Sequence, residues 1–406
     1  MKPGHFKLEN AIRPNIYALP KYITSTSDEF QARSKILLDA NENSLGTCLA
    51  PPVKSSNGWD PNELLGYIFA GTTSLNRYPS ASQAQLKSRI AESKKEFGIT
   101  KDMICLGTGA ADVIDLLLRV TCRPGKDAIL VTPPTFGLYK VRAAFQEAEA
   151  ISCPLDESFN LQVDHVHKEL EKNPNVKLVF LASPGNPTGT LIPLEDIKAV
   201  LDHSSFKGYV VVDEAYIDYT KCPDKATALN LLSEYANLIV VQTLSKGAGL
   251  AGIRLGIAFA QPETISMLDK LQMPYCIPTP TSILAQAALS PDGRRSQKRL
   301  VQDVIANRES LVQALAEPST TELGVGKPLG AGEANFVVLP ILNPATTAPD
   351  QERAQLVEKK MQDDHSISIR YIGMMAHCDG CLRITVGTED ENKQLVEGLR
   401  TVLSAN

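Results

Sequence analysis

Long hydrophobic runs are missing from this 406-residue chain. No eighteen consecutive apolar residues occur, the least that a membrane-spanning helix requires. An excess of basic residues is missing too. The 41 Lys and Arg stand against 46 Asp and Glu, a formal net charge of −5, which argues against non-specific nucleic-acid binding. Cysteine is sparse: the eight (Cys48, Cys105, Cys122, Cys153, Cys222, Cys276, Cys378 and Cys381) fall far below the density of a disulfide scaffold. Cys378 and Cys381 form a CxxC beside His377. A structural zinc site wants a second pair at similar spacing, so reduced, partly buried thiols are expected there and no metal. No GxxxxGK[ST] segment exists, which sets aside a Walker-type NTPase. The opening MKPGHFKLENAIRPN has no apolar signal segment and the closing LSAN no lipidation or peroxisomal signal, so a reducing cytoplasm is expected. What remains is ordinary: 43% hydrophobic and 21% charged residues, a soluble chain of enzyme size with room for two to three domains, or equally for one large and one smaller.

Short apolar runs ending in polar or glycine-rich segments recur along the chain. They include ICLGTG (104–109), AILVTPP (128–134), LVFLASPGNP (178–187), YVVVDEAY (209–216) and LIVVQTLSK (238–246). Between them lie stretches such as ADVIDLLLRVT, apolar at three- and four-residue spacing. Buried strands alternating with helices predict an α/β fold, with a mostly parallel sheet covered on both faces. Ligands bind at the C-terminal ends of such strands. From about residue 296 the pattern changes to helix, Gly/Pro-rich loop, strand, helix, two strands and a last helix, which predicts a smaller α+β unit. The expected division is an N-terminal arm over 1–60 packing with the small domain and cleft, a large domain over 75–295 and a small C-terminal domain over 296–406.

Two glycine-rich segments compete for attention. GAGLAG (247–252) matches the dinucleotide pattern GxGxxG, but that mechanism needs a helix to open at the third glycine. Here the glycine leads into the strand-like IRLGIAFAQP, so the context fails. GTGAADVIDLLL (107–118) reads instead as strand, glycine turn and amphipathic helix. The free amides of such a helix start can hold a phosphate, although a plain tight turn would look the same.

Successive strand ends carry complementary groups in a fixed order: Asn186 in SPGNPTG, Asp213 with Tyr216 in VVVDEAY, and Ser245 with Lys246 after LIVVQT, with Arg254 eight residues on. Together these suit a pyridoxal phosphate enzyme. A desolvated lysine forms a Schiff base with the aldehyde and shuttles the Cα proton. A buried aspartate keeps the pyridine nitrogen protonated. Tyr216 and Asn186 can bond the ring hydroxyl. Helix-start amides with Thr243, Ser245 and Arg254 can bind the phosphate, and Phe136 offers a face for stacking.

SPGNPTG, VVVDEAY, TLSKGAGLAGIRLG and CLRITVGT resemble the class I/II aminotransferases of pyridoxal-phosphate fold type I. LLDANEN (37–43), LNRYPS (75–80), PPTFGLY (133–139) and GCLRITVGTEDEN (380–392) are similar to the histidinol-phosphate aminotransferases within them, fungal forms especially, and the likeness runs from about 12 to 402. It implies the fold type I architecture and pyridoxal 5'-phosphate as cofactor. It also implies amino transfer from L-histidinol phosphate to 2-oxoglutarate, a step of histidine biosynthesis. Lys246, Asp213 and Tyr216 take catalytic positions, with Asn186 beside Tyr216. Gly109, Ala110, Ala111, Thr243, Ser245 and Arg254 line the cofactor phosphate, and Phe136 stands where a tyrosine is usual. Tyr78 would reach that phosphate from the second subunit of a homodimer. Arg370 and Arg383 would grip the substrate phosphate, Arg383 also the carboxylate of glutamate and 2-oxoglutarate. Asn41 and Tyr22 would complete the substrate pocket.

The sequence departs from that pattern at Ala110-Ala111-Asp112, at Gly247-Ala248, at PYCIP (274–278) and in the arginine missing after Tyr22. These departures leave open a paralogue acting on another amine or an aromatic amino acid, as an aminotransferase or a decarboxylase. A cofactor-free scaffold is disfavoured, since it would have no need of Lys246, Asp213 and Arg254 together.

Overall fold

The computed structural model describes residues 13–18, 35–49 and 75–405. At its centre lies a seven-stranded sheet in the order β2-β8-β7-β6-β5-β3-β4. The strands are β2 (Ile104–Gly107), β3 (Ala128–Val131), β4 (Glu149–Ser152), β5 (Val176–Ala182), β6 (Tyr209–Asp213), β7 (Leu238–Thr243) and β8 (Gly256–Phe259). Five adjacent strands from β4 to β7 pair in parallel, whereas β8 pairs antiparallel with both β7 and β2. The sheet is therefore mixed but mostly parallel, as the alternation of buried strands and helices predicts.

Its strands are apolar on both sides because both sides are covered. Along β6, Val210 and Val212 enter one core and Val211 the other; along β7, Leu238 and Val240 oppose Ile239 and Val241. Each fully buried aliphatic side chain contributes about 1.5–3 kcal/mol. The cover comes from α1 (Ala84–Ser93), α2 (Ala110–Thr121), α3 (Leu138–Phe145), α4 (Val163–Lys172), α5 (Leu194–Leu201), α6 (Pro262–Leu271) and α7 (Thr279–Ala288). The third glycine of GAGLAG lies in a short 3-10 turn, Ala251–Ile253, leading into β8, so no helix opens there.

A long helix, α8 (Pro291–Leu315), leads into the C-terminal unit. Ser290 caps it by accepting from Gly293 N–H, and Pro291 occupies its first turn, where a missing N–H costs nothing. There, β9 (Phe336–Pro340), β12 (Cys381–Thr385) and β11 (Arg370–Tyr371) form an antiparallel sheet in the order β11-β12-β9. Helices α9 (Gln351–His365) and α10 (Glu389–Ser404) pack on it, α10 opened by a capping box between Thr388 and Glu391. The segment β1 (Ile36–Leu37) joins this unit by pairing in parallel with β10 (Ile367–Ser368). Leu38 then receives a hydrogen bond from Thr385 N–H at 2.8 Å, so the chain from 35 to 43 runs across to the large sheet. A fourth cluster, with Tyr216, Tyr219, Val301, Phe336 and Val386, closes the junction.

All eight cysteines are free thiols. Cys378 and Cys381 are buried, their thiols pushed up to about 12 by that burial, and Cys381 N–H closes a turn onto the Cys378 carbonyl at 2.9 Å. No helix among the described residues is long and apolar enough to cross a membrane.

Candidate active site

The C-terminal ends of β2, β3, β5, β6 and β7 face the junction with the small unit, and the residues singled out in the sequence follow those ends. Gly109 opens α2 after β2, Phe136 follows β3, Asn186 follows β5, Asp213 ends β6 and Lys246 follows β7. In a parallel sheet this edge is where loops and helix N-termini leave a crevice.

One corner suits an anion. No side chain caps α2, whose first residues are Ala110 and Ala111. Gly109, at φ +84°, has the Arg254 guanidinium where a Cβ would stand, and a Cβ on Gly256 would strike Gly109 and the Ala110 nitrogen. Only glycine fits either position. Arg254 itself adopts φ +53° and donates to the Ala251 carbonyl at 3.1 Å. The Thr243 hydroxyl donates to the Leu255 carbonyl at 2.7 Å, lies 2.9 Å from the Ser245 hydroxyl, and accepts from Ser245 N–H at 3.1 Å. Uncapped amides, a guanidinium and two hydroxyls thus meet at one helix start.

A second corner suits a flat heteroaromatic ring. Asp213 is buried, which raises its carboxyl pKa, while two donors oppose that rise. Tyr139 O–H donates to Oδ2 at 2.7 Å and Ala215 N–H to Oδ1 at 3.1 Å. The Tyr216 hydroxyl accepts from Asn41 Nδ2 at 3.0 Å and Asn186 Nδ2 at 3.4 Å. Its pKa is raised by burial, with Arg383 acting the other way. Phe136 meets Tyr139 edge-on, ring centres 5.7 Å apart.

Lys246 lies between these corners. Its amine donates to the Ala40 carbonyl at 2.9 Å and sits 5.8 Å from the centre of the Tyr216 ring. Burial lowers its pKa to about 8, helped by the positive Arg383 and Arg254 and opposed by Glu42. A much larger share of this amine is unprotonated at neutral pH than in an ordinary lysine.

The third corner is cationic. Arg370 on β11 and Arg383 on β12 are direct register partners, so both project from one face of the sheet. Arg383 Nη1 donates to Asn186 Oδ1 at 2.7 Å, and its guanidinium lies 5.7 Å from the Phe336 ring centre. Its Nη2 donates to the Asp39 carbonyl.

Asn41, expected to face substrate, has its side chain bonded to Tyr216 and, at 3.2 Å, to Thr385. Tyr78 stands on the outer surface, 81% exposed and stacked on Tyr275 with ring centres 4.6 Å apart. Tyr22 lies outside the described residues. Ala248, where an aromatic is usual, is fully buried, and its carbonyl accepts from Cys48 N–H at 3.0 Å. Sequence reasoning missed Tyr139, the Ala40 carbonyl and Asn335, which donates to the carbonyls of Asn41 at 3.1 Å and Glu42 at 3.0 Å. For Tyr139 a signal existed: a tyrosine inside a buried helix turn wants a partner for its hydroxyl.

The chain matches the model for aminotransferase class I and II over residues 33–399. It is 39% identical over 404 residues to the histidinol-phosphate aminotransferase of Schizosaccharomyces pombe, spanning 98% of each chain. It is 36% identical over 409 residues to that of Candida maltosa, covering 98% of this chain and 99% of that one. Among solved structures, the Sinorhizobium meliloti histidinol-phosphate aminotransferase in complex with pyridoxal-5'-phosphate superposes with a TM-score of 0.79 at 21% identity, over 97% of this chain and 98% of that one. At that identity the likeness concerns the fold.

Proposed function

The chain belongs to the class I and II aminotransferase family, and from that premise we propose that it moves the amino group of L-histidinol phosphate to 2-oxoglutarate with pyridoxal 5'-phosphate as cofactor. The observation that carries this reading is the position of Lys246. Its amine, with pKa near 8, stands between an anion cradle, a buried carboxylate and an arginine pair.

The three corners fit the cofactor. The α2 amides of Ala110 and Ala111, with Thr243, Ser245 and Arg254, would hold its phosphate above Gly109. Asp213 would keep a proton on the ring nitrogen, Tyr216 and Asn186 would hold the ring hydroxyl, and Phe136 would cover one face. When bound, the cofactor supplies an aldehyde for amine capture and a protonated ring into which the Cα electron pair can delocalise. Lys246 is the residue placed to hold that aldehyde. Its amine, unprotonated in larger share than an ordinary lysine, would take the Cα proton of the donor and return it. Releasing the oxidised donor before 2-oxoglutarate enters gives ping-pong kinetics.

Arg370 and Arg383 would hold the phosphate of the donor, and Arg383 the carboxylate of glutamate and 2-oxoglutarate. Asn41 would steady Tyr216, and Tyr22 would close the pocket from the N-terminal arm.

A second copy of the chain would complete the site. The exposed apolar residues Leu75, Tyr78, Leu271, Met273 and Tyr275 support such a contact, from which Tyr78 of the second copy would reach the cofactor phosphate. The free thiols suit a reducing cytoplasm.

Visible absorbance tests the cofactor assignment: added pyridoxal phosphate should turn the protein yellow, and the same lysine adduct in Lys246→Ala would refute it. For the donor, histidinol phosphate is compared with phenylalanine, tyrosine and histidine. Transfer from an aromatic amino acid and not from histidinol phosphate would sink the narrower proposal alone.

A further inference from the structure

Both oxygens of Asp213 are engaged by the protein itself, Oδ1 by the backbone and Oδ2 by one side chain, Tyr139. That side chain is fully buried and fixed on two sides. Its ring stacks on Phe180 of β5, centres 4.6 Å apart and planes 11° apart, and meets Phe136 in a T-shaped contact with planes 86° apart. A hydroxyl 2.7 Å from a carboxylate oxygen is at charge-assisted hydrogen-bonding distance.

A buried carboxyl group without donors becomes neutral, and a neutral acid cannot hold a proton on a ring nitrogen. An ionised carboxylate offers about four acceptor sites. Tyr139 O–H and Ala215 N–H occupy two of them and leave the others for a further donor. We propose that Tyr139 is a positioning residue: it holds the Asp213 carboxylate ionised and oriented toward the cofactor ring nitrogen, and through Phe136 it ties that edge contact to the face on which the ring stacks. The inference rests on the reading of Asp213 as the ring-nitrogen partner.

Tyr139→Phe deletes the hydroxyl and keeps the ring. The test loads wild type and variant with pyridoxal phosphate labelled with nitrogen-15 in the ring and reads the nitrogen chemical shift, alongside kcat and KM of the donor half-reaction. In wild type the nitrogen is protonated at neutral pH. In the variant the shift moves toward the unprotonated value and kcat falls roughly tenfold to hundredfold, the scale of a lost hydrogen bond to a charged group, while KM changes less than about threefold. In an Asp213→Asn background the same substitution changes kcat less than about twofold, because the pair acts as a unit.

An unchanged nitrogen shift and kcat in Tyr139→Phe, or an equal loss in the Asp213→Asn background, overturns the proposal. If Tyr139→Phe does not fold, Phe180→Leu leaves the hydroxyl and removes the ring it stacks on. The nitrogen shift should then move in the same direction by a smaller amount, and no movement overturns the proposal. Failure of the wild type to form any coloured adduct would count against the aminotransferase reading instead.

Discussion

The Lys246 amine donates to the carbonyl of Ala40, 206 positions earlier in the chain, at 2.9 Å. The lysine belongs to the end of the large sheet, whereas Ala40 follows β1, the strand paired with the small unit. This contact therefore joins the two sides of the crevice at the amine proposed to bond the cofactor.

Because burial weakens proton binding by this amine, its reactivity should follow its own titration. The rate at which the apoprotein gains yellow colour with pyridoxal phosphate should rise through about pH 8 and level off above it. Stability should follow with a defined sign. The folded amine binds its proton less tightly than the unfolded one, so folding should become more favourable as pH rises from about 8 to the usual lysine value of about 10.5. Urea titrations of the apoprotein should show that gain, and Lys246→Ala should lack it.

Glu214 gives the opposite slope. It is buried beside Asp213 in the chain and accepts from Thr227 O–H at 2.7 Å, Ala228 N–H at 2.6 Å and Gln242 Nε2 at 2.8 Å. Burial still dominates and raises its pKa to about 7. The stability it contributes is present below about pH 4.5 and is lost as pH rises through about 7, a change on the order of 3 kcal/mol. Unfolding of Glu214→Gln measured across that window should show a flatter pH dependence than wild type.

Tyr216→Phe removes the acceptor for two amide groups, Asn41 and Asn186. Two donors left unpaired should lower stability by about 1–3 kcal/mol. The proposed loss of a bond to the cofactor's ring hydroxyl should also displace the visible absorbance of the bound cofactor. Denaturant unfolding and the absorption spectrum check the two effects separately.

The arginine pair should be separable by ligand. Arg370→Ala is expected to raise KM for histidinol phosphate roughly tenfold to hundredfold, as for a lost charge-assisted contact, and KM for glutamate less than about threefold. Arg383→Ala should impair both. Equal losses for both ligands in Arg370→Ala would contradict its assignment to the phosphate.

The central strands were legible because strands buried on both faces are continuous apolar runs: ICLG, AILV, VVVD and LIVVQT coincide with β2, β3, β6 and β7. The edge strand β4, with its exposed ends, carries no such run and left no trace in the sequence reading. Helix α8 begins at Pro291, several residues before the apolar periodicity becomes regular, because Ser290 and Pro291 set its start. The polar residues at strand ends could be found since the sheet itself brings them to one edge. Tyr139 to Asp213, Ala40 to Lys246 and Asn41 to Thr385 are separated by 74, 206 and 344 positions. No local pattern encodes such contacts: the first forms when a helix packs on the large sheet, and the second only where the small unit meets that sheet.

The proposed reaction is tested most directly by glutamate formation from L-histidinol phosphate and 2-oxoglutarate, comparing the cofactor-loaded wild type with Lys246→Ala. Glutamate should accumulate with parallel double-reciprocal lines in wild type, the signature of ping-pong transfer, and should be absent from the variant. Glutamate production by Lys246→Ala at the wild-type rate, or none from wild type with this donor, would contradict the assignment.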